Sequence, residues 1–254
     1  MKLGIIGAEK QEVDLLVKAL SGPEGAARKR KAGAFEFFEG NLRGCPAVVV
    51  LSGIGKVNAA ICTQTLILNF NPDYIINTGS AGGLAAGLAV LDMIVSADAV
   101  QHDVDAVFFG YKPGQVPGTG SPFFTADAFL RKAALSAFGK VMDSESCRAH
   151  MRLPEGTSPK IIEGRIASGD VFVSAADTRN KIIDLFHPAC VEMEGAAIAQ
   201  VCSVNSVPFV ILRCVSDLAG ENANMSYESF SRFASDISAH VVMAIAEGLK
   251  EEQK

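Results

Sequence analysis

Four carboxylates, Glu12, Glu192, Glu194 and Asp217, stand where apolar runs give way to turns. Ligands of open α/β sheets gather at that level, so these are the residues placed to do chemistry. Glu192 and Glu194 are spaced i, i+2 within Cys190–Ala199. In a strand, residues two apart share a face, so the pair could converge on one ligand; a solvated strand end explains them equally simply. Asp217 follows Val207–Val215, an apolar run broken only by Arg213. Burial there raises a carboxyl pKa, as a proton donor near neutral pH requires, although an N-cap is the plainer role. Glu12 falls in the first turn of an expected helix, where the helix dipole already favours an acid.

Other chemistry-bearing patterns lead less far. Ser52-Gly53-Ile54-Gly55-Lys56 suggests a phosphate loop, but lacks the length and the Ser/Thr that G-x-x-x-x-G-K-[ST] requires. Glycines that turn the chain sharply into a helix explain it as well. Thr78-Gly79-Ser80-Ala81-Gly82-Gly83-Leu84 lets a ligand approach the backbone, with amides and Ser80 as donors, yet it is no dinucleotide fingerprint. His102-Asp103 invites a hydrolase triad, but no serine lies in G-x-S-x-G, and a satisfied polar turn is the better reading. The four histidines show no metal-ligand spacing.

The elements that must position these residues follow from hydrophobic period. Strands are expected at Leu3–Ala8, Ala34–Glu39, Ala47–Leu51, Tyr74–Asn77, Asp92–Val100, Val104–Phe109, Lys160–Ser168 and Val207–Val215. Helices are expected at Gln11–Leu20, Val57–Leu68, Ala126–Val141, Asp177–Phe186, after Glu194, and from Tyr227 to Lys250. Gly110–Pro122 reads as a long loop of the kind that carries function, with Phe108, Phe109 and Tyr111 at its root. Asp143–Pro159 reads as a polar surface excursion. No repeat or linker divides residues 1–254, which predicts a single three-layer α/β/α domain.

The totals agree. The chain has 254 residues, 49% of them hydrophobic, and a net charge of −5; that is enough to bury a substantial core. The charge is spread along the chain, which argues against nucleic-acid and acidic-membrane partners. Six scattered cysteines without C-x-x-C predict reduced core residues in the cytoplasm. No apolar run reaches the length of a membrane span or forms a signal peptide.

Seven ordered blocks then carry a resemblance over nearly the whole chain. They are G-I-I-G-A with Glu12, S-G-I-G-K-V-N-A-A, I-I-N-T-G-S-A-G-G-L, F-G-Y-x-x-G-Q-x-P-G, S-G-D-x-F, V-E-M-E-x-x-A-I-A and V-P-F-V-x-x-R-x-x-S-D. The chain resembles the nucleoside phosphorylase superfamily, and most closely its 5′-methylthioadenosine/S-adenosylhomocysteine nucleosidases. The resemblance implies a central mixed, partly barrel-like sheet and hydrolysis of an adenine nucleoside. It implies that Glu12 activates water with help from Ser80 and Arg213, and that Asp217 protonates N7. Phe172 would stack on adenine, with the Val173 backbone and Asp217 reading its edge. Glu194 would grip the ribose hydroxyls against Met193, with Gly82, Glu192 and Ser216 supporting the site. Ile54 and Tyr227 would line the 5′ pocket. Phe109 and Pro117 would come from a neighbouring subunit, which implies a homodimer.

That division of labour is chemically coherent. An adenine anion leaves poorly unless a ring nitrogen is protonated, and a carboxylate near the sugar steadies an oxocarbenium-like transition state. A base on the opposite face completes an inverting displacement. Such chemistry requires no metal or organic cofactor. Phosphorolysis is the alternative, but Asn77 stands where the superfamily's phosphorylases place a phosphate-binding arginine, and hydrolysis is favoured. A non-catalytic nucleoside-binding module would have no need of an opposed acid and base. Glu9-Lys10, Tyr227 and the 143–159 segment depart from the bacterial nucleosidase pattern. They leave open the choice among methylthioadenosine, adenosylhomocysteine, 5′-deoxyadenosine and aminodeoxyfutalosine.

Overall fold

The computed structural model describes residues 1–22, 25–220 and 223–251. Strand β1 (Leu3–Gly7) is buried along its whole length, as a run of apolar and glycine residues must be when helices cover both sheet faces. It feeds α1 (Lys10–Ala19), after which β2 (Leu20–Ser21), β3 (Arg28–Ala32), β4 (Phe35–Leu42) and β5 (Cys45–Leu51) form antiparallel neighbours around β4. Among the described residues strand β3 pairs only with β4, and Arg28, Lys29, Arg30 and Lys31 on it are all exposed. Charge is therefore locally concentrated, although it is spread along most of the sequence.

Helix α2 (Lys56–Phe70) leads to β6 (Tyr74–Gly83) and β7 (Met93–Gln101); β8 (Phe123–Thr125), α3 (Ala128–Asp143), α4 (Glu145–Met151) and β9 (Ile161–Ser168) follow. The chain ends with α5 (Ala176–Phe186), β10 (Cys190–Glu192), α6 (Gly195–Val204), β11 (Phe209–Asp217) and α7 (Ala223–Glu251). The main sheet order is β10-β9-β7-β11-β6-β1-β5-β4-β2, and β10 also pairs with β6. That last pairing, Cys190 with Gly83 and Val191 with Gly82, closes five strands into a mixed barrel. Closure requires sharply bent strands, and β11 has a register shift between Val215 and Asp217.

Two apolar layers flank the sheet. One joins α1, α3 and α7 through Val13, Leu16, Leu130, Phe138, Ile237 and Val241. The other joins α2 and α6 through Ala59, Cys62, Leu66, Ile198 and Cys202. The buried cysteines thus pack as small hydrophobes, and all six are free.

Two expectations need correction. Val104–Phe109 is not a strand: Val107–Phe109 forms a 3₁₀ turn, with the Val107 amide donating to Asp105 Oδ1 at 3.2 Å and Gly110 ending it at φ +85°. The local Asx geometry outcompetes a strand that has no free partner. Asp143–Pro159 is more than a surface excursion, because Ser144 caps α4 and Met151 is buried in the α3–α7 layer. Met151, with Cys147 and Leu153 packed partly buried beside it, anchors an otherwise polar segment.

Candidate active site

A cavity of about 200 Å³ opens where β1, β6, β10 and β11 end. Its walls include Glu9, Glu12, Glu192, Glu194 and Asp217, but no lysine or arginine. Ile54, Ser80, Gly82, Phe172, Val173, Met193, Ser216 and Tyr227 also line it. Sequence positions up to 219 residues apart in number, from Ala8 to Tyr227, therefore meet in one chamber.

Glu12 enters from the first turn of α1. Its Oε2 accepts from the amides of Ala8 at 2.7 Å and Glu9 at 3.1 Å, and its Oε1 from the amide of Ser80 at 3.1 Å. Gly79 is required beside it, because a Cβ there would lie 2.6 Å from Glu12 Oε1. Burial pushes the Glu12 carboxyl above its ordinary value, while Arg213 and the three amides pull it down. The Ser80 contribution to Glu12 is thus its backbone N–H.

Asp217 ends β11 beyond the register shift. Its Oδ1 accepts from the Ala219 amide at 2.8 Å and its Oδ2 from the Ser216 hydroxyl at 2.9 Å. Burial raises its pKa against those two donors, and no cation pairs with it among the described residues. Gly82 approaches closely, since a Cβ on it would lie 3.0 Å from Asp217 Oδ1.

Glu192 and Glu194 do not share a strand face. Glu192 is the last residue of β10, whereas Glu194 is the N-cap of α6. Glu192 turns inward: its carboxylate accepts from Arg213 Nη2, Arg213 Nε, the Ser168 hydroxyl and the amides of Glu194 and Gly195. Four of these donors meet Oε2 and only Ser168 meets Oε1, and the amides place it as the anion at the start of α6. Glu194 instead accepts from the Gly55 amide at 2.8 Å, made reachable by a turn in which Gly53 and Gly55 have φ of +81° and +97°. Burial first, then the neighbouring Glu192 charge, raises the Glu194 carboxyl, and Arg213 at 3.9 Å opposes them.

Arg213 is fully buried behind the cavity and not on its wall. Besides Glu192, its Nη2 donates to Asn77 Oδ1 at 2.6 Å and its Nη1 to the Leu212 carbonyl at 3.0 Å. Burial opposes its charge, but Glu192, Glu194 and Glu12 more than restore it. Arg213, expected to help Glu12, stands as a charge held behind three carboxylates and acts on Glu12 through its field.

Phe172 is half-exposed and meets the Tyr227 ring edge-on at 6.1 Å. Tyr227 donates to Glu9, and burial, followed by that carboxylate, raises its pKa. Phe109 and Pro117 lie outside this chamber and are exposed. His102-Asp103 is a polar turn outside it: Asp103 accepts from Lys56 Nζ at 2.6 Å and the Asp170 amide at 3.0 Å. Burial raises the Asp103 carboxyl, but those donors win and lower it overall. Ser168 and Asn77 were not expected as supports; a hydroxyl or amide at the end of a buried strand was their only sequence signal. Among the described residues no three His, Cys, Asp or Glu side chains group to hold a metal ion.

The family model of the phosphorylase superfamily matches residues 2–247. The 5′-methylthioadenosine/S-adenosylhomocysteine nucleosidase of Treponema pallidum is 43% identical, over 98% of this chain and 94% of its own length. The chain belongs to this superfamily, in its nucleosidase branch. Among solved structures, the nucleosidase of Neisseria meningitidis in complex with methylthio-immucillin-A is 40% identical, with a TM-score of 0.85 over 97% of this chain and 99% of its own. The futalosine hydrolase of Helicobacter pylori is 29% identical, with a TM-score of 0.82 over 98% of each chain. In this nucleosidase fold the five-stranded barrel fixes the cavity, since each carboxylate described above departs from a strand end or from the turn just beyond one.

Proposed function

We propose that the protein hydrolyses the N-ribosidic bond of 5′-substituted adenosines, releasing adenine and the 5′-substituted ribose. Methylthioadenosine and S-adenosylhomocysteine are the first substrates to test. The observation that carries this reading is the cavity wall, with five carboxylates and no cationic side chain. Such a chamber repels a phosphate dianion and favours a sugar that becomes cationic in the transition state. Asn77 donates to the Ile6 carbonyl and accepts from Arg213, so neither residue is free to clamp phosphate.

Asp217, raised by burial and unpaired with any cation, is the general acid that protonates the departing adenine. Glu12, ionised and oriented by three amides, is the base that takes a proton from water. Glu194 holds the ribose hydroxyls against Met193, and its carboxyl faces the developing cation. Phe172 offers a stacking face, Val173 a backbone edge and Ile54 an apolar wall.

Two further assignments belong to this reading. Ile54, Val57, Ile61, Leu68 and the Val107–Phe109 turn expose apolar side chains on the molecular surface, with Phe108 93% and Phe109 76% exposed. Phe108 and Phe109 side by side are an unusually bare aromatic pair, which supports a homodimer in which Phe109 and Pro117 complete the neighbour's site. Six free cysteines support a reducing, cytoplasmic setting; among the described residues no helix is long and apolar enough to cross a membrane.

Adenine release from methylthioadenosine in phosphate-free buffer, with a free reducing sugar as co-product, is the expected result. Strict dependence on phosphate, with a sugar 1-phosphate as product, overturns the hydrolytic assignment.

A further inference from the structure

We propose that Glu9 and Tyr227 form a polar clasp that selects adenosines whose 5′ group bears a hydrogen-bond donor, above all a protonated amine. The inference rests on the nucleosidase reading, since it takes the adenine to lie against Asp217 and the ribose against Glu194. The remaining wall, formed by Ala8, Glu9, Ile54 and Tyr227, is then where a 5′ substituent must go.

That wall is chemically mixed. Ile54 supplies an apolar face, but the opposite side is a carboxylate bonded to a phenol. The Tyr227 hydroxyl donates to Glu9 Oε2 and is met by the Ser80 side chain, so its proton is committed and the acceptor left to the cavity is chiefly the Glu9 carboxylate. Glu9 is half-buried, and among the described residues no cationic side chain pairs with it. The neighbouring Lys10 turns outward to Asp14 instead. Gln11 Nε2 donates one neutral bond at 3.3 Å, and as N-cap of α1 the Glu9 side chain also accepts from the Glu12 amide; these orient the carboxylate without supplying a counter-ion.

The clasp is also rigidly mounted. The Glu9 amide is one of those that hold Glu12, and Tyr227 is braced by the Phe172 ring. A half-buried carboxylate without a counter-ion is favourable mainly when a cation or donor arrives to meet it. A thioether alone, as in methylthioadenosine, offers neither. A 5′-ammonium supplies both charge and donors.

The test compares kcat/KM for 5′-amino-5′-deoxyadenosine with kcat/KM for methylthioadenosine, as a ratio, in the wild-type protein, Glu9→Met, Glu9→Gln and Tyr227→Phe. Glu9→Met is expected to lower the ratio at least tenfold and Tyr227→Phe about threefold, with Glu9→Gln between them. In the wild-type protein, added salt should reduce kcat/KM for the amine more steeply than for uncharged 5′-deoxyadenosine. That measurement stands even where a variant fails to fold. A ratio unchanged within twofold in Glu9→Met, or equal salt dependence for the two wild-type substrates, overturns the clasp. Adenine release from methylthioadenosine in these experiments separates that failure from failure of the nucleosidase reading, in which no substrate yields adenine.

Discussion

The two ends of the cavity solve the same electrostatic problem differently. Glu12 and Asp217 are both buried carboxylates whose pKa values burial raises. Glu12 meets three amide donors and the field of Arg213, whereas Asp217 meets one amide and one hydroxyl. Burial sets the direction of the shift at both positions, and the donors decide how far each group resists it. In the proposed mechanism the carboxylate with more donors serves as the base and the one with fewer as the acid. Role is therefore written in the backbone around each residue more than in the residue itself.

The most severe way to break the contrast is to remove the acid. Asp217→Asn should lose about 10³-fold in kcat while still binding a non-hydrolysable analogue, as read by calorimetry; near wild-type turnover would remove Asp217 from the mechanism. Removing the shared cation comes next. Arg213→Met leaves Glu192 buried without its partner and should cost about 3–5 kcal/mol of stability, measured by denaturant titration. A loss below about 1 kcal/mol would mean the barrel relaxes around that charge.

Gly79→Ala sharpens the comparison by disturbing only the base, because the new Cβ would press on Glu12 Oε1. A drop in kcat of about 10- to 100-fold is expected, in line with a misplacement on the ångström scale, with analogue affinity nearly retained. Unchanged kcat would show that the carboxylate need not be held so tightly. The mildest test is pH. Glu12 must be ionised, so kcat/KM falls as pH drops through its raised pKa; Asp217 must be protonated, so it falls as pH rises through its own. The profile should be bell-shaped, at about tenfold per pH unit on each limb. A limb on the acid side lying at ordinary glutamate values would contradict the burial of Glu12.

Much of this architecture was legible because it is local. Glu12 follows β1 by a few residues, the Ser52–Lys56 glycines announce the turn into α2, and Asp217 ends an apolar run. The Glu192–Arg213 pair was not legible in the same way. It joins β10 to β11 inside a ring whose closure depends on Val191 meeting Gly82, and spacing along the chain carries no trace of that. The i, i+2 glutamates misled for the related reason that β10 stops at Glu192. Strand β3 escaped notice because its Arg-Lys-Arg-Lys run has no apolar alternation and is held by pairing with β4. The aromatic run at Val107–Phe109 showed the opposite failure, with strand-like composition but no edge to join.

That cationic strand has a consequence of its own. The outer edge of β3 presents unpaired backbone groups, the template on which a second chain can nucleate a shared sheet. Four successive positive side chains make such an approach mutually repulsive, even though Lys29 is engaged by Glu36. Electrostatic repulsion along β3 would therefore oppose growth of the sheet at the edge away from the closed barrel.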